Sequence, residues 1–197
     1  MKSIIYIVDD DEAICDSLKW LIEGWGYTAK ACSSIQSFFA NYEEKYPAAL
    51  LLDVRLNGEN GTDLQEQLIN KNYKIPIAFI TGHGDVPMAV TAIKKGAIDF
   101  VQKPFDNNLI KSVVEKLYEL APQYFKDQHN LKILLDLTTR EKQVLQGIVQ
   151  GQLNKQIAAT LNISIKTVEA HRANIMSKLK VTGVADLVKI VIKNNFK

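Results

Sequence analysis

The chain has 197 residues, of which 47% are hydrophobic, so it is long enough for one large or two small globular domains. No apolar run approaches the roughly 18 residues of a membrane span, and the apolar run Ile4–Val8 is followed by three Asp residues, unlike a signal peptide. Residues 1–120 contain 12 Lys and Arg against 17 Asp and Glu, a net charge of −5, whereas residues 121–197 contain 12 against 5, a net charge of +7. This asymmetry predicts two modules, the second a candidate for nucleic-acid binding.

The two cysteines, Cys15 and Cys32, lack the spacing that is typical of a zinc site or a CxxC redox motif. Both stand among apolar residues. We expect them to be reduced, buried thiols of a cytosolic protein.

Short apolar runs predict strands buried on both faces, and amphipathic or capped segments between them predict helices. The strands are expected at residues 4–8, 27–32, 48–53, 77–81 and 99–102. The helices are expected between Asp11 and Gly26 and at residues 34–42, 62–70, 85–95 and 107–121, with Asp85 as a cap and Pro122 just beyond the last helix. His83 lies in the loop before Asp85. Five strands alternating with five helices predict an α/β, doubly wound, five-stranded parallel sheet.

Polar residues follow four of these strands at their carboxyl ends: Asp9 with Asp10, Asp53, Thr81 and Lys103. In a parallel sheet these ends meet at one edge, where ligands bind. Two like charges about 4 Å apart repel by about 4 kcal/mol at an effective dielectric of about 20, so clustered carboxylates require a cation. Hard oxygen ligands and an open site favour Mg²⁺.

Asp53, which ends the central strand, has two interpretations. It is either a cap of the junction between strand and loop, or a nucleophile that forms an aspartyl phosphate. In the second case Asp9 and Asp10 hold Mg²⁺, Lys103 supplies a positive charge and Thr81 a hydrogen bond to the phosphoryl group. An Asp-nucleophile phosphatase is an alternative, but such enzymes usually carry a second Asp two residues after the nucleophile, where this chain has Arg55.

Residues 3–121 resemble the receiver domain of bacterial two-component response regulators, which has a flavodoxin-like sheet. The resemblance lies in Ile-Val-Asp-Asp-Asp-Glu at 7–12, the central Asp53, Thr-Gly-His-Gly at 81–84 and Lys-Pro-Phe at 103–105. It implies phosphorylation of Asp53 by a partner sensor histidine kinase. It also implies direct ligation of Mg²⁺ by Asp10, a water-mediated contact from Asp9 and a contact from the Arg55 backbone carbonyl.

The resemblance further implies a switch in which Thr81 moves toward the phosphoryl group and Phe100 turns inward. This movement reshapes the surface of the fourth helix and fifth strand, where some members dimerise. One position departs from the family. The loop after Asp53 usually carries Pro four residues on, and this chain has Asn57 there.

Residues 122–136 lack Gly and Ser, so we expect a partly helical linker between a domain at 1–121 and one at 137–197. In the second domain Thr138 and Glu141 form a capping box that opens a helix. Asn154 is expected to cap a second helix, and Ser164 a third that reaches Lys178. A short turn at 162–164 joins the two, which indicates a helix-turn-helix, although any small helical bundle fits the spacing.

The third helix is predicted to bury Val168, Ile175 and Leu179 and to present a small, mixed-charge face. Glu169 has two interpretations: it accepts a hydrogen bond from a cytosine amino group, or it pairs with a nearby Lys. Ala170 can contact a thymine methyl group, while the lysines and Thr167 can reach phosphates. The predicted DNA contacts are Asn154, Lys155, Lys166, Thr167, Glu169, Ala170, Ala173, Asn174 and Lys178.

The fourth predicted helix, at residues 184–194, carries apolar residues over more of its circumference than a small domain needs. Excess apolar surface indicates a partner, and a twofold homodimer is the commonest solution. We expect Leu187, Val188 and Val191 to form the dimer contact.

Residues 137–197 resemble the LuxR-type DNA-binding domain through Leu-Thr-Thr-Arg-Glu at 137–141, Asn-Lys-Gln-Ile-Ala at 154–158 and Thr-Val-Glu-Ala-His-Arg-Ala-Asn-Ile at 167–175. The whole chain thus resembles a FixJ-type response regulator. The resemblance implies a bacterial cytoplasmic protein that dimerises on phosphorylation, binds double-stranded promoter DNA and activates RNA polymerase, without being an enzyme on other substrates. The alternative is a DNA-binding protein whose receiver is a phosphorylation-independent dimer scaffold, which Asn57 favours.

Overall fold

The computed structural model describes residues 2–82 and 86–196, so the predictions for His83, Gly84 and Asp85 lie outside the described residues. The chain divides into two compact units, Met1–Phe125 and Lys126–Lys197. Among the described residues, no helix combines the length and the apolar character needed to cross a membrane.

The first unit is built on a parallel sheet. The strands of the unit are β1 (Ile4–Val8), β2 (Thr28–Cys32), β3 (Ala48–Asp53), β4 (Arg55–Leu56), β5 (Glu59–Asn60), β6 (Ile77–Thr81) and β7 (Asp99–Gln102). Five of them form the sheet in the order β2-β1-β3-β6-β7, and every neighbouring pair is parallel. The short strands β4 and β5 form a separate antiparallel hairpin.

Helices cover both faces of this sheet. They are α1 (Glu12–Gly24), α2 (Ile35–Asn41), α3 (Gly61–Asn70), α4 (Val86–Lys94) and α5 (Asn107–Leu135). The apolar residues of α1 and α5 pack with one face of the sheet, whereas those of α2 and α3, together with Ala92 of α4, pack with the other. Every residue of β1, β3 and β6 is buried, as strands covered on both faces require. The predicted doubly wound parallel fold is confirmed.

Side-chain caps define where two of these helices begin. The Asp11 carboxylate accepts hydrogen bonds from the amides of Ala13 (2.9 Å) and Ile14 (3.3 Å) at the start of α1. The Ser34 hydroxyl accepts one from the Ser37 amide (3.0 Å) at the start of α2. These groups satisfy amides that the helix itself leaves without partners, which is why Asp and Ser at these positions predict helix starts.

The predicted end of α5 at Ala121 is wrong, because the helix continues to Leu135 with Pro122 inside it. A proline in a helix removes one backbone hydrogen bond, and local propensity alone places a boundary there. Burial on both sides of the proline outweighs that loss: Leu117 and Ala121 are buried in the first unit, and Leu134 lies in the core of the second. The segment predicted as a partly helical linker is therefore helical up to Leu135.

The second unit is all helical after α5. It contains α6 (Thr139–Val149), α7 (Asn154–Leu161), α8 (Ile165–Lys178) and α9 (Val184–Lys193). All four contribute to one apolar core, which also includes Leu134 from the end of α5. The predicted set of four helices is thus present, and the predicted inward residues Val168, Ile175 and Leu179 are buried in this core.

Gly61, the first residue of α3, lies against the backbone of the central strand. A Cβ atom at this position would be 2.1 Å from the Asp53 carbonyl oxygen and 3.0 Å from Leu52 Cγ. The Gly61 amide donates to the Val54 carbonyl (2.8 Å). The chain can return this closely to β3 only because the residue has no side chain.

We predict that Gly61→Ala lowers the free energy of unfolding of the first unit by about 1–3 kcal/mol, since the added methyl group must displace the backbone of Asp53. Urea unfolding measures the change. Gly24→Ala is the matched control, because nothing lies within 4 Å of a Cβ atom there. Equal stability of the two variants would contradict the prediction.

Candidate functional site

Four strands of the sheet end in polar residues at the same edge. Asp9 directly follows β1, Asp53 ends β3, Thr81 ends β6 and Lys103 directly follows β7. These strands are neighbours and parallel, so their carboxyl ends lie side by side. The structure therefore brings together the residues that the sequence assigns to one site.

The Lys103 ammonium lies between two carboxylates. Its Nζ atom is 2.7 Å from Asp9 Oδ2 and 2.5 Å from Asp53 Oδ2. The Lys103 amide donates to the Thr81 carbonyl (2.7 Å), which fixes the segment after β7 to the end of β6. Asp9 and Asp53 are only 2% and 7% exposed, so most of their compensation comes from protein groups rather than from water.

Backbone amides hold the second oxygen of each carboxylate. The Asp11 amide donates to Asp9 Oδ1 (3.0 Å), and the Arg55 amide donates to Asp53 Oδ1 (2.9 Å). Each carboxylate is thus held at one oxygen by the chain that follows it and at the other by Lys103. This pattern fixes the orientation of both groups at the sheet edge.

Burial raises the pKa of Asp9, although the hydrogen bonds that its carboxylate accepts from Lys103 and from the Asp11 amide act against this rise. Burial tends to lower the pKa of Lys103, but the hydrogen bonds to Asp53 and Asp9 outweigh burial and raise it. Lys103 therefore stays protonated at neutral pH. Asp9 is a carboxylate that a further positive charge would stabilise.

Asp10 adds a third acidic group to this edge. One carboxylate oxygen from each of Asp9, Asp10 and Asp53 lies within 4.8 Å of the other two. These three carboxylates are hard oxygen donors, and Lys103 pairs with two of them, so the donor set fits Mg²⁺. The part of the Arg55 backbone carbonyl in such a site stays a prediction.

The two residues of the predicted switch lie on neighbouring strands. Thr81 is buried at the end of β6, and Phe100 is half-buried in β7. The Phe100 ring packs near Phe79, with the ring centroids 6.3 Å apart. Phe79 precedes Thr81 by two residues in the same strand, so both side chains leave the sheet on the face that Phe100 packs against. The structure thus connects the two predicted switch residues through Phe79.

Asn57, the position that departs from the receiver family, lies at the turn of the β4–β5 hairpin. Leu56 pairs with Glu59 across this turn. Gly58 has a φ of 78°, which is the conformation that the third position of a type II turn requires. Asn57 is exposed, and the Arg55 amide, two residues before it, donates to Asp53. Asn57 therefore lies in the same short hairpin as a residue that holds Asp53.

In the second unit, a tight turn separates α7 from α8. Asn162 adopts the left-handed conformation with a φ of 52°, and the Ser164 hydroxyl accepts a hydrogen bond from the Thr167 amide (3.0 Å). The predicted cap at Ser164 is thus confirmed. The predicted cap at Asn154 is wrong: the helix already includes Asn154, and the Gln156 side chain instead accepts from the Leu153 amide (2.7 Å).

The outward face of α8 carries most of the predicted DNA contacts. Glu169 makes no ion pair among the described residues, so the alternative in which it pairs with a nearby lysine has no support there. Asn154, in the first turn of α7, is half-buried. The remaining predicted residues are all exposed: Lys155, Lys166, Thr167, Glu169, Ala170, Ala173, Asn174 and Lys178.

Lys178 differs from the other lysines predicted to contact DNA. Its Nζ atom is 2.7 Å from Glu141 Oε1 and 2.8 Å from Glu141 Oε2. The ammonium is therefore bound within the protein, and the prediction that it is free for a phosphate is not supported. The spacing of 37 residues between the two partners leaves no signal in the sequence.

The prediction of dimer contacts for Leu187 and Val191 is wrong, because both fill the core of their own unit at 0% and 4% exposure. Val188 is half-buried. The exposed apolar side chains of α9 are Val184 and Ile192, which is 65% exposed. The apolar side of α9 is wide enough to hold both the buried and the exposed residues, so its sequence does not show which of them its own unit covers.

Sequence reasoning also missed two residues. Glu141 accepts a hydrogen bond from the Thr138 amide (2.9 Å), as its capping box predicts, and a further one from the Thr138 hydroxyl (3.0 Å). Its ion pair with Lys178 was not predicted. Ile165, the first residue of α8, exposes a large apolar side chain beside Lys166. The signal that points to it is a β-branched residue between the Ser164 cap and the polar face of α8.

Comparison with known families assigns both units. Residues 5–115 match the family described as the response regulator receiver domain. Residues 135–191 match the family described as bacterial regulatory proteins of the luxR family. The two matches coincide with the parallel sheet and with the helical unit.

Relatives align over almost the whole chain. The response regulator protein TmoT of Ectopseudomonas mendocina is 44% identical, covering 96% of this chain and 88% of that protein. The transcriptional regulatory protein FixJ of Rhizobium meliloti is 38% identical, covering 98% and 96%. The solved structure of the response regulator StyR has a TM-score of 0.60 and 40% identity, covering 98% of this chain and 100% of that one. The chain therefore belongs to the FixJ-type response regulators, in which a receiver domain precedes a LuxR-type DNA-binding domain.

Proposed function

We propose that a partner sensor histidine kinase phosphorylates Asp53 in the presence of Mg²⁺, and that phosphorylation promotes dimerisation, promoter binding and transcriptional activation. One observation carries the proposal: the Lys103 ammonium joins buried Asp9 and Asp53 at the edge where Asp10 also lies. Such an arrangement suits transfer of a phosphoryl group, which needs positioning and charge neutralisation more than covalent help from the protein.

In the proposed reaction, Asp53 Oδ2 attacks the phosphorus of a phosphohistidine. A phosphorus–oxygen bond forms, the phosphorus–nitrogen bond breaks, and the histidine nitrogen leaves with the electron pair. The Arg55 amide holds Asp53 Oδ1 and so keeps Oδ2 directed at Lys103. In the reaction, the Lys103 ammonium exchanges its contact with Oδ2 for one with the incoming phosphoryl oxygens. Bound Mg²⁺, held by Asp9, Asp10 and Asp53, would supply further positive charge against those oxygens. The chain modifies only itself.

We predict that Asp53→Asn abolishes labelling by acetyl phosphate with Mg²⁺, because the amide lacks a nucleophilic oxygen of comparable charge. Intact-protein mass spectrometry measures the phosphoryl adduct. Asp16→Asn, at an exposed position of α1 in the same unit, serves as the control and keeps full labelling. Retained labelling of Asp53→Asn would place the nucleophile elsewhere and remove the basis of the proposal.

The phosphoryl group on Asp53 is proposed to draw Thr81 toward it and to let Phe100 turn inward. Both residues lie where such a movement can pass through the packing around Phe79 to the surface of α4 and β7. The predicted role of Thr81 and Phe100 as a switch rests on this placement and on family membership.

In the second unit, α8 is proposed to enter the major groove as the recognition helix. Lys155, Lys166 and Thr167 supply contacts to phosphates, whereas Glu169 and Ala170 face the bases. Asn154, Ala173 and Asn174 remain proposed contacts. Bound at a promoter, the regulator is proposed to activate RNA polymerase, in keeping with the family of transcriptional regulators to which it belongs.

We predict that Lys166→Gln weakens binding to all duplex sequences by a similar factor and lowers the slope of log Kd against log salt by about one ion, because a phosphate contact releases one counterion. Fluorescence anisotropy over a series of salt concentrations measures this. Lys189→Gln, on α9, removes the same charge at an exposed position outside α7 and α8 and keeps the slope. An effect of Lys166→Gln confined to one base position would contradict a phosphate role.

The proposed homodimer uses the exposed side of α9. Val184, Val188 and Ile192 follow one another at intervals of one helical turn and form an apolar stripe. Two copies related by a twofold axis can pair such stripes, and paired recognition helices then reach two half-sites. This assignment replaces the contacts predicted for Leu187 and Val191.

We predict that Ile192→Asp lowers the fraction of dimer formed with Mg²⁺ and beryllofluoride, which mimics the phosphoryl group, because it places a charge in the apolar stripe. Sedimentation velocity measures the change. Leu153→Asp is a suitable control, since Leu153 is similarly exposed in the same unit but lies outside α9. A dimer unaffected by Ile192→Asp would locate the interface on another surface, such as the receiver.

A further inference from the structure

Lys178, the last residue of the recognition helix, is bound to Glu141 in the first turn of α6. We propose that Lys178 is a positioning residue, which holds α8 against α6 through Glu141 and makes no contact with DNA phosphates. The inference rests on the proposed DNA-binding function of α8.

The Glu141 carboxylate accepts hydrogen bonds at both of its oxygens. Lys178 Nζ contacts Oε1 at 2.7 Å and Oε2 at 2.8 Å. The Thr138 amide and hydroxyl donate to Oε2 at 2.9 and 3.0 Å. The carboxylate is therefore fixed by the cap of its own helix, and it in turn fixes the ammonium that ends α8.

The two partners of this ion pair differ in how far they are buried. Glu141 is 4% exposed, whereas the Lys178 side chain is 44% exposed. If Lys178 turned to a phosphate, the buried Glu141 charge would lose its only cation among the described residues. Leaving a buried charge unpaired costs more than a contact at a solvated phosphate gains. The exposure of the Lys178 side chain therefore does not mean that its ammonium is available to a DNA phosphate.

The ion pair also complements the apolar packing of α8. Val168 and Ile175 are buried on one side of the helix, and this seam turns its other side outward. Lys178 adds a polar contact at the carboxyl end of α8, where the helix dipole favours a positive charge. Glu141 lies at the amino end of α6, where the helix dipole favours a negative charge. Together they fix the rotation of α8 about its axis and so the direction of its outward residues.

The test compares Lys178→Gln, Lys178→Arg and Lys166→Gln in the full chain with Mg²⁺ and beryllofluoride. Hydrogen exchange followed by mass spectrometry reports protection of residues 139–149 and 165–178 without DNA. Anisotropy with a short duplex of arbitrary sequence then gives the slope of log Kd against log salt. Lys166→Gln is the matched control, because Lys166 lies on the same helix and has no ion pair among the described residues.

We expect Lys178→Gln to lose hydrogen-exchange protection in α6 and α8 and to keep the parent slope of log Kd against log salt. Lys178→Arg can keep the ion pair, so we expect it to retain both the protection and the slope. Lys166→Gln is expected to keep protection and to lower the slope by about one ion. A Lys178→Gln variant with intact protection and a slope lower by about one ion overturns the proposal.

If Lys178→Gln does not fold, Glu141→Gln breaks the same ion pair without leaving a buried charge. Loss of protection in α6 and α8 then supports the positioning role, and unchanged protection overturns it. If the parent chain does not bind the duplex at all, the proposed DNA-binding function fails. The exchange experiment, which needs no DNA, still decides the role of Lys178.

Discussion

The first unit depends on one shared ammonium. Lys103 compensates both buried carboxylates at the sheet edge, and the Arg55 and Asp11 amides orient those same carboxylates. Without Lys103, two acidic groups would face each other with little water around them, and breaking a buried ion pair costs about 3–5 kcal/mol. The parallel sheet makes the arrangement possible, because it brings residues 50 and 94 positions apart in the chain to the same edge. This arrangement fits the proposed binding of Mg²⁺ and the proposed transfer of a phosphoryl group to Asp53.

The second unit contains a comparable pair with a different consequence. Glu141 is buried and depends on Lys178, as Asp9 and Asp53 depend on Lys103. At the sheet edge the ammonium lies beside a third acidic group, Asp10, and a phosphoryl group is proposed to take over its contact with Asp53. At the end of α8 the carboxylate is also held by the cap of its own helix, and Lys178 is proposed to stay with it. The same chemistry therefore suits a reactive site in one unit and a fixed helix in the other.

Local patterns predicted most of the fold. Continuous apolar runs identified the buried strands of the parallel sheet, and Thr138 and Ser164 marked helix starts because their side chains satisfy nearby amides. The prediction failed at Pro122, where packing on both sides outweighed one lost hydrogen bond, and at Asn154, where Gln156 reaches back to the Leu153 amide instead. In both places a contact from elsewhere in the chain or a competing side chain overrode the local preference.

The sequence by itself determined which residues form the candidate phosphoacceptor site, because a parallel sheet necessarily collects the residues that follow its strands at one edge. It also determined the family, through motifs that span both units. Only the tertiary structure decided that Lys178 is bound by Glu141, and that Leu187 and Val191 face inward while Ile192 faces outward. The physical reason is that the apolar side of α9 is wider than its own unit can cover, and that a lysine at the end of a helix can reach several acceptors. Only the packing of residues that are distant in the sequence selects among these possibilities.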